Sequence, residues 1–344
     1  MKVYNIVALA LAAVASFAGS AVAQQKAGNS ALVKAYVRFD EKAKPMNVAL
    51  EPKQDGTKFF FINRETEQMM GGDAAKCDLF YIQTPADLAA ATKTYKGGDF
   101  EAARKQLGAC KEKYKAYAGL PGNPSTKAAV MELECAIRQM KWEDVKALVA
   151  SFSNPGALEY NDKALYEVAK VMGSVSDDPG ALAGIKAGVD AVKGDKYINS
   201  TQYGWLMYAL GRAYAAQIPA DQLEGNISEA KVADANLAID TLCQAAVSSH
   251  GAAMELPKDA MLRAVKILWA MPGVKDYVAQ ANNMDVNKWN SAPYNFRDAV
   301  ALAYLIKNVY MPDIKDSTIN RLASFHVNTL EGKEKPGADE KKED

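Results

Sequence analysis

The sequence predicts a mainly α protein, a solenoid of paired α-helices (an α-α superhelix) preceded by a small antiparallel β module. Three observations predict it. From Pro85 to about residue 330, apolar residues recur at helical spacing, the pattern of helices that bury one face. Turn signals cut that stretch into helix-sized pieces, at Gly97-Gly98, Asn154-Pro155-Gly156, Asp178-Pro179-Gly180 and Met271-Pro272-Gly273 among others. Before Pro85 the apolar period is two, which is the period of a strand.

Taken in order, residues 1–23 read as a secretory signal peptide. Lys2 supplies the basic start, an apolar run follows from Val3 to Phe17, and Ala21-Val22-Ala23 is a small-x-small cleavage site before Gln24. A membrane anchor needs about 20 apolar residues, and Asn5, Ser16, Gly19 and Ser20 interrupt this run. The expected product starts at Gln24, is periplasmic or secreted, and has no membrane insertion after cleavage.

Residues 24–84 form the expected β-rich module. Val33, Ala35, Val37 and Phe39 alternate with Lys34, Tyr36 and Arg38. Further β-rich runs lie at Asn47 to Glu51, Lys58 to Asn63 and Cys77 to Ile82, with turns read at Asp55-Gly56 and Gly71-Gly72-Asp73. Such a sheet needs three strands to stand alone, or it packs on the first helix.

The helical region spans 85–330. Helices are expected near 85–96, 99–117, 126–140, 142–152, 160–173, 178–193, 200–217, 227–249, 257–271, 273–283, 294–310 and 315–330. Ser176-Asp177-Asp178-Pro179 reads as a helix cap. The tail 331–344 is Lys, Asp and Glu with Gly and Pro, a composition that buries no apolar surface and predicts disorder.

Composition narrows the function. Lys+Arg and Asp+Glu are both 41. A nucleic-acid binder carries a basic stripe and a high pI, whereas this pI is about 6.8. No nucleic-acid partner is expected. The four cysteines, Cys77, Cys110, Cys135 and Cys243, are too widely spaced for paired zinc knuckles. His250 and His326 lie in no metal-binding motif. GxSxG, P-loop and GxGxxG motifs are missing from the sequence. No catalytic residue, metal or cofactor is predicted.

The helical motifs carry a resemblance. In Tyr95-Lys96-Gly97-Gly98-Asp99-Phe100-Glu101-Ala102-Ala103, Gly98 and Asp99 would turn between two helices, and Leu107 follows Ala103 at the spacing of a small residue and its bulky neighbour. Trp142 occupies the place of Phe100 in a second unit, with Val145 for the small alanine. Leu210-Gly211-Arg212-Ala213-Tyr214 reproduces the Leu-Gly-x2-Tyr of a first helix. The chain resembles exported bacterial tetratricopeptide-like proteins, some of which carry a short N-terminal β module.

That resemblance implies a concave face lined by first helices. It aims Thr92, Tyr95, Lys96, Glu134, Arg138, Trp205, Tyr208 and Arg212 there. Trp205 and Tyr208 fit the helix core by the same spacing. The implied role is an exported, non-enzymatic scaffold mediating protein–protein interaction in the cell envelope. Lys96, Arg138 and Arg212 would grip an acidic protein or peptide, and Arg212 is expected to be exposed. The alternative is a periplasmic glycan or small-molecule binder using Trp205, Tyr208, Trp269 and Trp289 as stacking platforms. Adjoining helices of successive units could bridge Cys110 to Cys135.

Overall fold

A computed structural model describes residues 32–249, 254–280 and 286–334. The segment expected to be a signal peptide, His250 and most of the charged tail lie outside these residues, and so does the His326 side chain.

The fold begins with a five-stranded antiparallel sheet in the order β4-β3-β2-β1-β5. Its strands are β1 (Val33–Arg38), β2 (Met46–Asp55), β3 (Lys58–Asn63), β4 (Met69–Asp73) and β5 (Leu79–Ile82). The period of two decides which face is buried. Val33, Ala35, Val37, Val48, Leu50, Phe59 and Phe61 point into the core, while Tyr36, Phe60 and Tyr81 remain exposed.

One strand corrects the sequence reading. Gly71-Gly72-Asp73 is not a turn but the end of edge strand β4, with Gly71 opposite Phe60 and Gly72 opposite Phe59. A side chain at Gly72 would meet the rings of Phe59 and Phe39 at about 3 Å. Glycine is there because two aromatic rings cover the backbone.

The remainder is helical. The first pair is α1 (Ala86–Lys96) and α2 (Phe100–Lys113), and the second is α3 (Pro124–Arg138) and α4 (Trp142–Ala150). The third is α5 (Tyr160–Met172) and α6 (Leu182–Val192). In the fourth, α7 (Ser200–Ala215) packs on α9 (Val232–Ser248), with the short α8 (Ala220–Glu224) in the connection. Then follow α10 (Glu255–Ala270), α11 (Val274–Gln280), α12 (Val286–Ser291), α13 (Tyr294–Leu305) and α14 (Ser317–Glu334).

Local chemistry places the helix ends. Gly98 takes φ +84, which glycine adopts without a Cβ penalty. Asp99 then caps α2 by accepting from Ala102 N at 3.0 Å. Asn123 caps α3 ahead of Pro124, and Asn199 with Gln202 closes a capping box on α7. Of the two aspartates read as a cap, Asp178 does cap, accepting from Gly180 N. Asp177 does something else, described below.

The packing is serial. First helices touch in the succession α1, α3, α5, α7, α10, α13. The second helix of each of the first four pairs also packs on the first helix of the next. The buried residues form two clusters. The smaller joins the sheet to α1, α2 and part of α3, so the β module shares its core with the first helix pair. Tyr117, after α2, donates its hydroxyl to the Leu50 carbonyl at 3.1 Å and pins the two together. The larger cluster runs from Val130 to Phe325.

The Cys110–Cys135 bridge is not formed, and all four cysteines are free. Cys110 and Cys135 are both buried in the N-terminal core, where they pack as small apolar side chains.

A candidate functional site along the first helices

Helices α1, α3, α7 and α10 contribute a row of arginines, carboxylates and aromatic rings. At one end, the Arg138 guanidinium lies 5.7 Å from the Tyr95 ring, 5.4 Å from Phe100 and 5.6 Å from Trp205. Arg138 donates to Glu134 at 2.6 and 3.1 Å. The pair sits one helical turn apart on α3, so its backbone sets the geometry. Burial, and then the neighbouring Glu134 carboxylate, push the Tyr95 hydroxyl well above its usual range.

Further along, Trp142 stacks against Tyr208 with centroids 5.8 Å apart. The Tyr208 hydroxyl donates to Asp259 at 2.5 Å, and Arg263 donates to the same Asp259 oxygen at 2.6 Å. Arg212 clamps Asp177 through Nε at 3.0 Å and Nη2 at 2.5 Å. Arg263 reaches Asp177 at 3.5 Å. Burial opposes ionisation of Asp177, but the hydrogen bonds and charge of Arg212, with Arg263 behind it, hold the carboxyl below its usual range.

The structure therefore joins Tyr95, Glu134, Arg138 and Trp205 in one cluster, and Tyr208 and Arg212 in a neighbouring one. Thr92 donates its hydroxyl to the Leu88 carbonyl one turn back, at 2.8 Å. Lys96 is exposed in the last turn of α1 and makes no ion pair among the described residues.

Three expectations are corrected. Trp205 and Tyr208 are core residues, 2% and 0% exposed, so neither is a stacking platform. Arg212 is not an exposed arginine, since its side chain is only 10% exposed and is held by Asp177. The row is also not basic, because Arg138, Arg212 and Arg263 are matched by Glu134, Asp177 and Asp259. Burying a bare guanidinium costs several kcal/mol, so every buried arginine in the row has its carboxylate.

Sequence reasoning missed Asp177, Asp259 and Arg263. The Asp259-x3-Arg263 spacing is a readable helical pair. Asp177 sits in a connection and meets its partner only through the fold.

No protein-family model matches the chain, nor does any curated protein or solved structure.

Burial raises all four cysteine thiols above their ordinary value. Burial pushes Cys135 up to about 12, and Cys77 and Cys243 to about 11. A thiolate is the nucleophilic form, and these groups stay protonated at neutral pH. Among the described residues no group of three His, Cys, Asp or Glu is placed to hold a metal ion. No described helix is long and apolar enough to cross a membrane.

Proposed function

We propose that this chain is an exported, non-enzymatic scaffold of the tetratricopeptide-like type that holds a protein or peptide partner in the cell envelope. The supporting observation is the cross-linked row on α1, α3, α7 and α10. Four helices, three of them first members of the first, second and fourth pairs, bring arginines and carboxylates to two neighbouring clusters, where Tyr95, Glu134, Arg138, Asp259 and Arg263 stay partly exposed beside the buried Trp205 and Tyr208. Tyr and Arg are among the side chains enriched at binding hot spots. Ion pairs fix the strip before any partner arrives, which lowers the ordering cost of association.

The internal pairing changes what the strip would recognise. Arg138 and Arg212 already balance their charge on Glu134 and Asp177, so neither offers a bare cation to a partner's carboxylate. An acidic partner would first meet Lys96. The partly exposed Glu134, Asp177, Asp259 and Arg263 offer both donors and acceptors for exchange.

Cross-linking in an envelope fraction, followed by mass mapping of the cross-linked peptides, tests the reading. Partner cross-links should map to Lys96 and to the surface around Arg263, and Lys96→Ala should reduce partner recovery in a pull-down without lowering the melting midpoint. Cross-links confined to other faces would reject this strip as the interface. Export has its own test, in which the protein recovered outside the cytoplasm begins at Gln24. A membrane-bound form retaining Met1 would reject it.

A further inference from the structure

Next along α10, a cleft of about 520 Å³ opens between α8, α10 and the first turn of α14. Its size falls in the range of small-molecule sites, roughly 300–1,000 Å³. Leu223, Val265, Trp269 and Ile319 form the apolar part. Val265 and Ile319 are 1% and 3% exposed, so those walls belong to the core and are fixed. Trp269 is half-buried against that core. Lys275 places its ammonium 6.0 Å from the Trp269 ring centroid. The same ammonium donates to the carbonyls of Glu224, at 2.7 Å, and Gly225. One lysine thus ties the aromatic ring to the end of α8, and the cleft is preformed.

The rim is polar and unlike the arginine row. Glu224 and Lys266 border the cleft and make no ion pair among the described residues. Asp316 uses Oδ1 to cap α14, accepting from Thr318 N and Ile319 N, which leaves Oδ2 for a ligand. Thr318, which carries a hydroxyl, also borders the cleft. The rim therefore has acceptors on two carboxylates and donors on an ammonium and a hydroxyl.

We infer that this cleft binds a neutral sugar ring, with Trp269 as the stacking platform and Glu224, Asp316, Lys266 and Thr318 as its hydroxyl partners. The chemistry selects against the other ligand classes. An anion would face two carboxylates, and a cation would face Lys266. A wholly apolar ligand would strip water from the charged rim without replacing its hydrogen bonds, which is costly. A neutral sugar has an apolar face for the indole and hydroxyls that both donate and accept. The cleft adjoins the strip proposed above, since Lys266 follows Arg263 by one turn on α10, and the Trp269 and Thr318 variants test it separately.

Isothermal titration of the full chain tests it. The neutral probes are cellohexaose, maltohexaose, mannohexaose and N-acetylchitohexaose. The charged controls are chitosan hexaose and hexagalacturonate. At least one neutral hexaose should bind, and both charged controls should bind about tenfold more weakly or not at all. Trp269→Ala should abolish that binding. Should Trp269→Ala fail to fold, Trp269→Phe and Thr318→Ala serve instead, since each keeps the packing and should weaken binding several-fold with the melting midpoint retained. Absence of binding to every neutral hexaose at millimolar concentration overturns the inference. So does stronger binding of a charged control, or wild-type affinity in both Trp269→Phe and Thr318→Ala.

Discussion

In the first helix pair, α1 and α2 are joined only by Gly97 to Asp99 and bury their shared face against the β sheet. In the fourth pair, α7 and α9 are separated by residues 216–231, including α8, and still pack closely on each other. The first pair fills its seam with side chains: Ala103, Leu107 and Cys110 of α2 are all buried. The fourth removes side chains to bring backbones together. A Cβ at Gly204 would lie 2.8 Å from Ser249 N, and one at Gly211 would lie 2.8 Å from Leu242 Cγ. A short hairpin can hold two helices by geometry and packing. A long connection leaves the helices to find each other by shape, and glycine supplies the close approach.

The largest expected effect tests the filled seam. Ala103 is 0% exposed, and Ala103→Glu would bury a carboxylate with no partner. The expected loss is about 3 kcal/mol or more, read from denaturant melts. A loss under about 0.5 kcal/mol, typical of an exposed position, would remove α2 from the seam.

The second effect tests the glycine seam and splits its two members. At Gly204 the obstructing atoms are Ser249 N and Cβ and the Ala245 carbonyl oxygen, which move only with the backbone. At Gly211 they belong to the side chains of Leu242 and Thr241, which can rotate. Gly204→Ala should cost about 2 kcal/mol through backbone displacement. Gly211→Ala should stay within about 1 kcal/mol, because alanine's better helix propensity offsets the side-chain adjustment. Equal costs in the two variants would show that α7 and α9 shift as rigid bodies.

The third concerns the charged face of α7. Arg212→Ala removes both hydrogen bonds to Asp177 and the guanidinium 5.9 Å from the Tyr208 ring. Asp177 is 60% exposed and can rehydrate, so the expected loss is about 1.5 kcal/mol rather than the larger cost of a fully buried orphan charge. The sign of the pH effect follows from the lowered Asp177 value. Its contribution is complete above the ordinary carboxylate value of 3.8 and is lost as pH falls through the lower folded value. Asp177→Asn should flatten that part of the acid limb in melts taken from pH 5 downward. An unchanged acid limb would place the acid-sensitive contact elsewhere.

The same contrast explains what the sequence could show. The mainly helical body, the strand alternation at Val33 to Val37 and the Gly98-Asp99 turn rest on neighbours in sequence, and those were legible. Glu134–Arg138 lie one turn apart on one helix, so their pairing is readable from spacing alone. Arg212 was misjudged because its partner Asp177 belongs to a connection between other helices. Trp205 and Tyr208 have the spacing of a face, and spacing does not say whether water or another helix covers it. Gly71-Gly72 had the composition of a turn, and only the rings of Phe39 and Phe59 across the sheet make it a strand.

The smallest expected effect belongs to Lys96, the one exposed side chain among the eight aimed at the groove. It stands in the last turn of α1, where a positive charge is favoured by the helix carbonyls by a few tenths of a kcal/mol. It makes no ion pair among the described residues, and its removal leaves no buried group unsatisfied. Lys96→Ala should therefore keep stability within about 0.5 kcal/mol of the parent. That near-silence gives the variant its use. Arg212→Ala would disturb folding and any interface together, so a lost partner would be uninterpretable. Lys96→Ala separates the two, because reduced partner recovery in a pull-down at an unchanged melting midpoint can arise only at the surface. A clear drop in midpoint would instead show that α1 depends on Lys96 for its packing, and the contrast between a structural Arg212 and a surface Lys96 would fail.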